Sequence, residues 1–311
     1  MDAVSRIVET IRNNHPNVIL ALDEPLRNYT SFRIGGPVSL MLFPDNASGL
    51  MDVCKILDEN GIIPHIIGNG SNILASDAKL DIAVVSTSRL NYVGLNVDND
   101  LLRQGLCDIR IEAGALLSKL SVFAYDVELS GFEFANGIPG SMGGAVVMNS
   151  GAYGSEMKDV VIETSAFNVR AGRFTVIGED HDFSYRHSRF TNTDDVVLSS
   201  VIRLKKGDKK SIKKKMDELE IRRREKQPMD LPSGGSTFKR PKEGYAAELI
   251  EQAGLKGFTI GEAQVSEKHT GFVVNLGNAT FSDTIAVIEH VQEAVYKKFN
   301  VQLELEVKVL F

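Results

Sequence analysis

Four glycines and a proline fall within Gly137-Ile138-Pro139-Gly140-Ser141-Met142-Gly143-Gly144. A backbone of this make-up turns sharply and approaches something closely, because Cβ atoms would block either task. Consecutive amide N–H groups in such a loop form a nest for an anion, and a pyrophosphate suits one. A plain tight turn is the alternative. The apolar run that follows, Ala145-Val146-Val147-Met148, suits either a strand or a short helix. A second glycine loop, Gly68-Asn69-Gly70-Ser71-Asn72, lies about seventy residues earlier and offers Ser and Asn side chains to oxygens. It lacks the G-x-G-x-x-G spacing and any G-K-[ST], which argues against a Rossmann site or a P-loop. A third, Pro232-Ser233-Gly234-Gly235-Ser236-Thr237-Phe238-Lys239-Arg240-Pro241, follows the cations of Arg222-Arg223-Arg224-Glu225-Lys226. Cations beside a glycine turn with a hydroxyl could hold a diphosphate, although the hydroxyl of Ser236 could equally cap its own turn.

The chain that must position these loops has 311 residues, 43% hydrophobic and 24% charged, which allows two domains or one with an appendage. A net charge of −6 argues against general attraction to nucleic acid or acidic membranes, so an anionic ligand must be met locally. Cys54 and Cys107 lie far apart without ligand-like companions, which suggests neither a disulfide nor a metal site and fits a reduced cytoplasmic setting. The start, Met1-Asp2-Ala3-Val4-Ser5-Arg6-Ile7, lacks the apolar core of a signal peptide. No run of about 18 apolar residues exists, so no segment is expected to span a bilayer.

Apolar spacing predicts helices over 4–12, over Leu50, Val53, Cys54 and Leu57 with Asn46 or Ser48 as cap, and over Leu116, Leu120, Phe123 and Val127. The basic run after Lys205 keeps Ile212, Met216 and Leu219 at helical spacing, so most of its lysines belong to a solvated face. Ala246, Leu249, Ile250 and Ala253 mark a further helix, and Ser282 is expected to cap one bearing Ile285, Ile288, Val295 and Phe299. Strands are expected at Leu40–Phe43, Ile66–Ile67, Asp81–Ser86, Arg110–Gly114, Val160–Ala166, Phe174–Ile177, Val196–Leu204 and Gly271–Leu276. Arg27–Gly36 reads as an extended segment that ends sharply at Gly35-Gly36-Pro37. In Val301–Phe311 every odd position is apolar, which is strand alternation that leaves Gln302, Glu304, Glu306 and Lys308 on the other face. The pattern is α+β.

Six ordered motifs together resemble one family. They are Ser31-Phe32-Arg33-Ile34-Gly35-Gly36, the Gly68–Asn72 loop, the Gly137–Gly144 loop with Asn149 and Gly151-Ala152-Tyr153-Gly154, Tyr185-Arg186-His187-Ser188, Gly235-Ser236-Thr237-Phe238, and Leu305-Glu306-Val307-Lys308. In this order they are similar to the UDP-N-acetylenolpyruvoylglucosamine reductase (MurB) family, over nearly the whole chain. The resemblance implies an α+β FAD-binding domain of the vanillyl-alcohol oxidase (PCMH) type over residues 1–204, split into subdomains near 85–90. A smaller α+β substrate-binding domain would follow over 205–311, its last strand 301–311 bringing Glu306 to the active site. Phe190–Asp195 leads almost at once into the next strand, so the chain looks like the shorter branch, without the tyrosine-bearing loop insertion.

The family's activity would be the NADPH-dependent reduction of UDP-N-acetylglucosamine enolpyruvate to UDP-N-acetylmuramate, a cytoplasmic step of peptidoglycan synthesis. By the resemblance FAD would be held by Arg33, by Gly68, Asn69, Gly70, Ser71 and Asn72, and by Gly137, Ile138, Gly140, Ser141, Gly143 and Gly144. None of the six histidines lies in a glycine loop, so the flavin should be noncovalent. Hydride would come from the flavin N5. Arg186 would stabilise charge on the substrate carboxylate, Glu306 would polarise or orient the group, and Ser236 would donate the proton. Glu304 is the rival of Glu306, and the Glu-Val-Lys motif selects the latter. Tyr153, Arg224, Lys226, Arg240 and Lys256 would bind substrate, and His269 is either a substrate-side residue or an ordinary histidine. No metal, nucleic acid or membrane insertion is expected, and the protein would be a monomer or weak oligomer. The alternatives are a related FAD oxidase of another substrate and a noncatalytic nucleotide-sugar-binding protein.

Overall fold

A computed structural model describes residues 3–311; Met1 and Asp2 of the N-terminal stretch lie outside them. The helices are α1 (Ala3–Asn14), α2 (Ala47–Glu59), α3 (Asn99–Arg103), α4 (Leu117–Asp126), α5 (Met142–Val147), α6 (Lys209–Lys226), α7 (Ala246–Gln252) and α8 (Phe281–Phe299). The strands of the first part are β1 (Ile19–Pro25), β2 (Pro37–Phe43), β3 (His65–Ile67), β4 (Ile73–Ala75), β5 (Leu80–Ser86), β6 (Val93–Asn96), β7 (Leu106–Glu112) and β8 (Leu129–Ser130). Then come β9 (Gly151–Ala152), β10 (Ser155–Glu156), β11 (Val161–Asn168), β12 (Gly172–Ile177), β13 (Val196–Lys206), β14 (Thr259–Ile260), β15 (Ala263–Val265), β16 (Val273–Asn275) and β17 (Lys308–Leu310).

The chain forms two compact units, each assembled from three segments. The first comprises residues up to Leu22, Leu40–Asn69 and Ile82–Ile221; the second comprises Asp23–Ser39, Gly70–Asp81 and Arg222–Phe311. The expected boundary at 204/205 therefore falls inside the first unit, and two early segments join the C-terminal one.

Two cores build the first unit. In one, Ile7, Ile11, Leu40, Leu42, Leu50, Val53, Cys54 and Leu57 pack with Phe167 and Leu198. Asn46 caps α2, its side chain accepting from the Gly49 amide at 2.9 Å, so of the two candidate caps the backbone uses the first. The sheet here runs β1-β2-β5-β3, with β3 parallel to β5. The other core lies beneath an antiparallel sheet in the order β12-β11-β13-β7-β6, where Ile109, Ile111 and Ile202 meet Leu117 and Leu120 of α4 and Met142, Ala145 and Val146 of α5. The run after the glycine loop is thus a short helix, because its apolar residues must face one way onto this sheet.

The second unit is built on Phe32, Ile34, Phe238, Ile250, Val265, Val273, Val287, Val291, Leu303 and Val307. Helix α8 is capped by Thr280 rather than Ser282. Thr280 accepts from the Asp283 amide while Asp283 accepts from the Thr280 amide, a reciprocal box that Ser282 could not form. The C-terminal alternation appears as burial, with Val301, Leu303 and Val307 inside and Gln302, Glu304 and Lys308 outside, yet only Lys308–Leu310 forms a regular strand, parallel to β4. Arg27–Gly36 is not extended. Leu26–Asn28 is a 3-10 turn, and Leu26 and Arg27 donate back to Gly36 and Gly35.

Helix α5 is seated by close approach. A Cβ on Gly143 would lie 2.9 Å from the Cβ of Ala113 and 3.2 Å from its carbonyl oxygen, whereas one on Gly144 would meet nothing nearer than 3.9 Å. Gly143→Ala is expected to destabilise the apoprotein by about 1–3 kcal/mol through overpacking. Gly144→Ala should be neutral or stabilising by up to about 1 kcal/mol. Urea unfolding of both variants checks the contrast, and equal losses would contradict the packing account.

Candidate active site

In the first unit the two glycine loops lie side by side. Asn69 donates its side-chain amide to the carbonyl of Pro139. A Cβ on Gly68 would fall 2.1 Å from the hydroxyl oxygen of Ser141. Ser141 is buried, stands at the N-cap of α5, and its hydroxyl has no hydrogen-bond partner. The expected nest is only partly open, because Ile138, Met142 and Gly143 donate their amides to Ala135, Ala115 and Ala113. An unpartnered buried hydroxyl beside a glycine that leaves space is a donor set for an oxygen-rich group, and a diphosphate fits it.

The rest of the Gly68–Asn72 loop belongs to the second unit. Gly70 has φ 59°, and a side chain there would also strike the Tyr29 carbonyl at 1.8 Å. Its carbonyl accepts from the Ser31 amide, which ties it to the turn carrying Arg33. Arg33 is exposed and held at φ 56°. On the other side, Asn72 donates its side-chain amide to the Glu306 carbonyl at 2.9 Å and accepts from the Lys308 amide at 2.9 Å.

Thr237, fully buried, assembles the catalytic candidates of the same unit. Its carbonyl accepts the Glu306 amide at 2.9 Å, its hydroxyl accepts the Val273 amide at 2.9 Å, and its amide donates to Gly271. Ser236 and Glu306 therefore sit on adjoining backbone segments, both half-buried. The hydroxyl that caps the glycine turn is that of Ser233, which accepts from the Gly235 amide at 3.4 Å. Among the described residues the Ser236 hydroxyl makes no side-chain hydrogen bond, so turn capping does not claim it. The rival Glu304 is exposed and faces Lys239 at 3.3 Å. His269 accepts from the Gly271 amide at 3.2 Å and meets Phe272 edge-on, which gives its ring a structural task; burial lowers its pKa.

Arg186 belongs to the first unit, at the tip of a tight turn closed by two bonds between Ser184 and His187. It is half-buried, has φ 53°, and lies 5.2 Å from the Tyr185 ring. Tyr153 occupies a similar tip between β9 and β10, with φ 56° followed by Gly154 at 89°. Of the remaining cations, Arg224 and Lys226 are exposed on the last turn of α6. Arg240 stacks 4.2 Å from the Tyr245 ring, and Lys256 faces Glu251 at 3.4 Å. The structure thus groups Ser236, Glu306 and Asn72, and separately Gly68, Asn69 and Ser141. Sequence reasoning missed Thr237, Ser233 and Ser188 as builders of these turns and left Asn149 out of the site; only the left-handed preference of Asn could have pointed to the last.

A model of the C-terminal domain of UDP-N-acetylenolpyruvoylglucosamine reductase matches residues 227–310, and one of an FAD binding domain matches 38–178. The reductase of that name from Caldanaerobacter subterraneus subsp. tengcongensis is 46% identical over 291 residues, which span 94% of this chain and 93% of the relative. The chain belongs to the UDP-N-acetylenolpyruvoylglucosamine reductase family. Another MurB relative, from Agathobacter rectalis, is 44% identical across 97% of this chain and 98% of its own. The crystal structure of MurB from Thermus caldophilus superposes with a TM-score of 0.77 at 30% identity, over 94% of this chain and 99% of that one. FAD is accordingly the cofactor of the 38–178 domain.

His181 supports the Arg186 segment from behind. It is fully buried, with Nε2 2.9 Å from the Thr164 hydroxyl and Nδ1 2.8 Å from the Gly178 carbonyl, and its carbonyl accepts the Arg189 amide. Burial, and to a smaller degree the charge of Arg189, lowers its pKa. A depressed folded-state pKa means that the stability linked to neutral His181 is complete above the ordinary histidine value and is lost as pH falls through the lowered one. The thermal midpoint of the wild type should therefore fall more steeply on going from neutral to mildly acid pH than that of His181→Gln. Parallel curves would contradict this.

Proposed function

We propose that the protein reduces the enolpyruvyl group of UDP-N-acetylglucosamine enolpyruvate to give UDP-N-acetylmuramate, with NADPH as reductant. The observation that carries this is the presence of Arg186, Ser236 and Glu306 on well-tethered turns in a chain that matches MurB reductases over nearly its whole length. When bound, FAD supplies the hydride chemistry that links NADPH to the alkene. The protein's own part is charge and proton management. Arg186 presents a planar fork to the substrate carboxylate and stabilises the negative charge that gathers there as the alkene is reduced. Glu306 orients that group and helps to polarise it. Ser236 gives its hydroxyl proton to the alkene carbon next to the carboxylate, a demanding task for a weak acid and one that needs a hydroxyl uncommitted to its own turn.

Arg33, Gly68 to Asn72, and Gly137, Ile138, Gly140, Ser141, Gly143 and Gly144 are assigned to FAD, held noncovalently. Arg224, Lys226, Arg240 and Lys256 are assigned to the UDP diphosphate, and Tyr153 to the substrate. The Lys256–Glu251 contact is exposed, and such pairs contribute about 0–1 kcal/mol, so an arriving phosphate can displace it. No helix among the described residues is long and apolar enough to cross a membrane. The substrates suit a cytoplasmic enzyme acting as a monomer or weak oligomer.

Ser236→Ala should leave flavin reduction by NADPH nearly intact and slow transfer to the enolpyruvyl substrate by orders of magnitude. Equal loss in both half-reactions would remove the proton-donor role. Arg186→Lys should fail to restore turnover, since a point charge lacks the fork, and near-normal steady-state rates would count against that role.

A further inference from the structure

The turn that carries Arg186 is fastened at both ends to Val147 and Asn149, at the end of α5 and just past it. Ser188 and Thr191 each donate a hydroxyl to the Val147 carbonyl, at 2.7 and 2.8 Å. At the other end Asn149 donates its side-chain amide to the Ser184 carbonyl at 2.9 Å. The oxygen of the same side chain accepts the Lys158 amide at 3.0 Å, just beyond the hairpin that carries Tyr153. Asn149 is fully buried, and both of its polar ends are used.

We propose that Asn149 is a positioning residue for the reduction, one side chain fixing the turns of both Arg186 and Tyr153. This rests on the assignment of Arg186 to the substrate carboxylate. Arg186, Tyr153 and Asn149 itself all have left-handed backbones, at φ 53°, 56° and 46°. Such a conformation costs a residue with a Cβ about 1–2 kcal/mol and persists only where its surroundings over-determine it. Asn tolerates it best, because its short polar side chain bonds locally, and here that side chain reaches two neighbouring turns instead. Loss of the Ser184 bond would free the turn to leave the strained state, and the guanidinium would lose its aim while its charge stayed.

The discriminating variant is Asn149→Asp, which keeps an acceptor for the Lys158 amide but sets an oxygen against the Ser184 carbonyl, releasing the Arg186 turn alone. The flavin-loaded full chain is compared in four forms: wild type, Asn149→Asp, Arg186→Ala and the double variant. Anaerobic stopped-flow absorbance follows bleaching of the flavin by NADPH and its return on adding the enolpyruvyl substrate. Asn149→Asp should slow the return roughly tenfold to hundredfold, as misaimed groups do. Bleaching should change by less than about twofold, and in the Arg186→Ala background the Asp substitution should add less than about twofold, because no guanidinium remains to misplace. A full additional loss in the double variant, or equal losses in both half-reactions, would overturn the positioning role. An unchanged return rate in Arg186→Ala would instead overturn the assignment of Arg186, and this inference with it. Should the Asp form not retain flavin, Asn149→Gly, which keeps the backbone and buries no charge, is run against a chain lacking the Arg186 and Tyr153 side chains, with the same deciding outcomes.

Discussion

The site of the first unit depends on how a six-residue helix is held. At the start of α5, Met142 and Gly143 donate to the carbonyls of Ala115 and Ala113, which sit just past β7. At its end, the Val147 carbonyl accepts two hydroxyls from the Arg186 segment. A helix this short has little stability of its own, since nucleation is costly and few internal bonds repay it. Each outside bond contributes about 1 kcal/mol net, and leaving one of these buried groups unsatisfied would cost about 1–3 kcal/mol. The same bonds that make the helix possible therefore join the Gly137–Gly144 loop to the Arg186 turn. The N-cap hydroxyl of Ser141 is left over, receiving no amide of this helix.

Thr237 has the corresponding role in the second unit. It uses its amide, hydroxyl and carbonyl together, and so fixes the Gly235–Phe238 segment against both Val273 and Glu306. Ser233 takes over the capping of the glycine turn. Division of labour between neighbouring hydroxyls is what leaves the Ser236 hydroxyl uncommitted to its own turn.

Local structure was largely legible in the sequence. The stripes of α2, α6 and α8 and the burial alternation of the last segment follow from spacing alone, because one buried face dictates them, whereas α4 buries Leu117, Leu120, Ser121 and Ala124 rather than the face of Leu116, Phe123 and Val127. Reciprocal and long-range contacts were not. Thr280 caps α8 because Asp283 answers it, a pairing of two positions that a single-residue cap preference does not weigh. The second unit joins residues far apart in the chain: Ser31 donates to the Ser233 carbonyl across 202 positions, and Asn72 to that of Glu306 across 234. No periodicity encodes such contacts, so a boundary drawn from a composition shift near 205 misses the two early segments. The six motifs made the family recognisable and supplied the candidates for chemistry. Their supports, Thr237, Ser233, Ser188 and Asn149, became visible only once partners could be counted.

The central claim is that one flavin site accepts hydride from NADPH and passes it to an enolpyruvyl ether. The most direct test is the absorption spectrum of the purified protein without oxygen, with NADPH added first and UDP-N-acetylglucosamine enolpyruvate second. The account predicts that the flavin band bleaches with NADPH and returns with the substrate. A band that returns only when oxygen is admitted would contradict it.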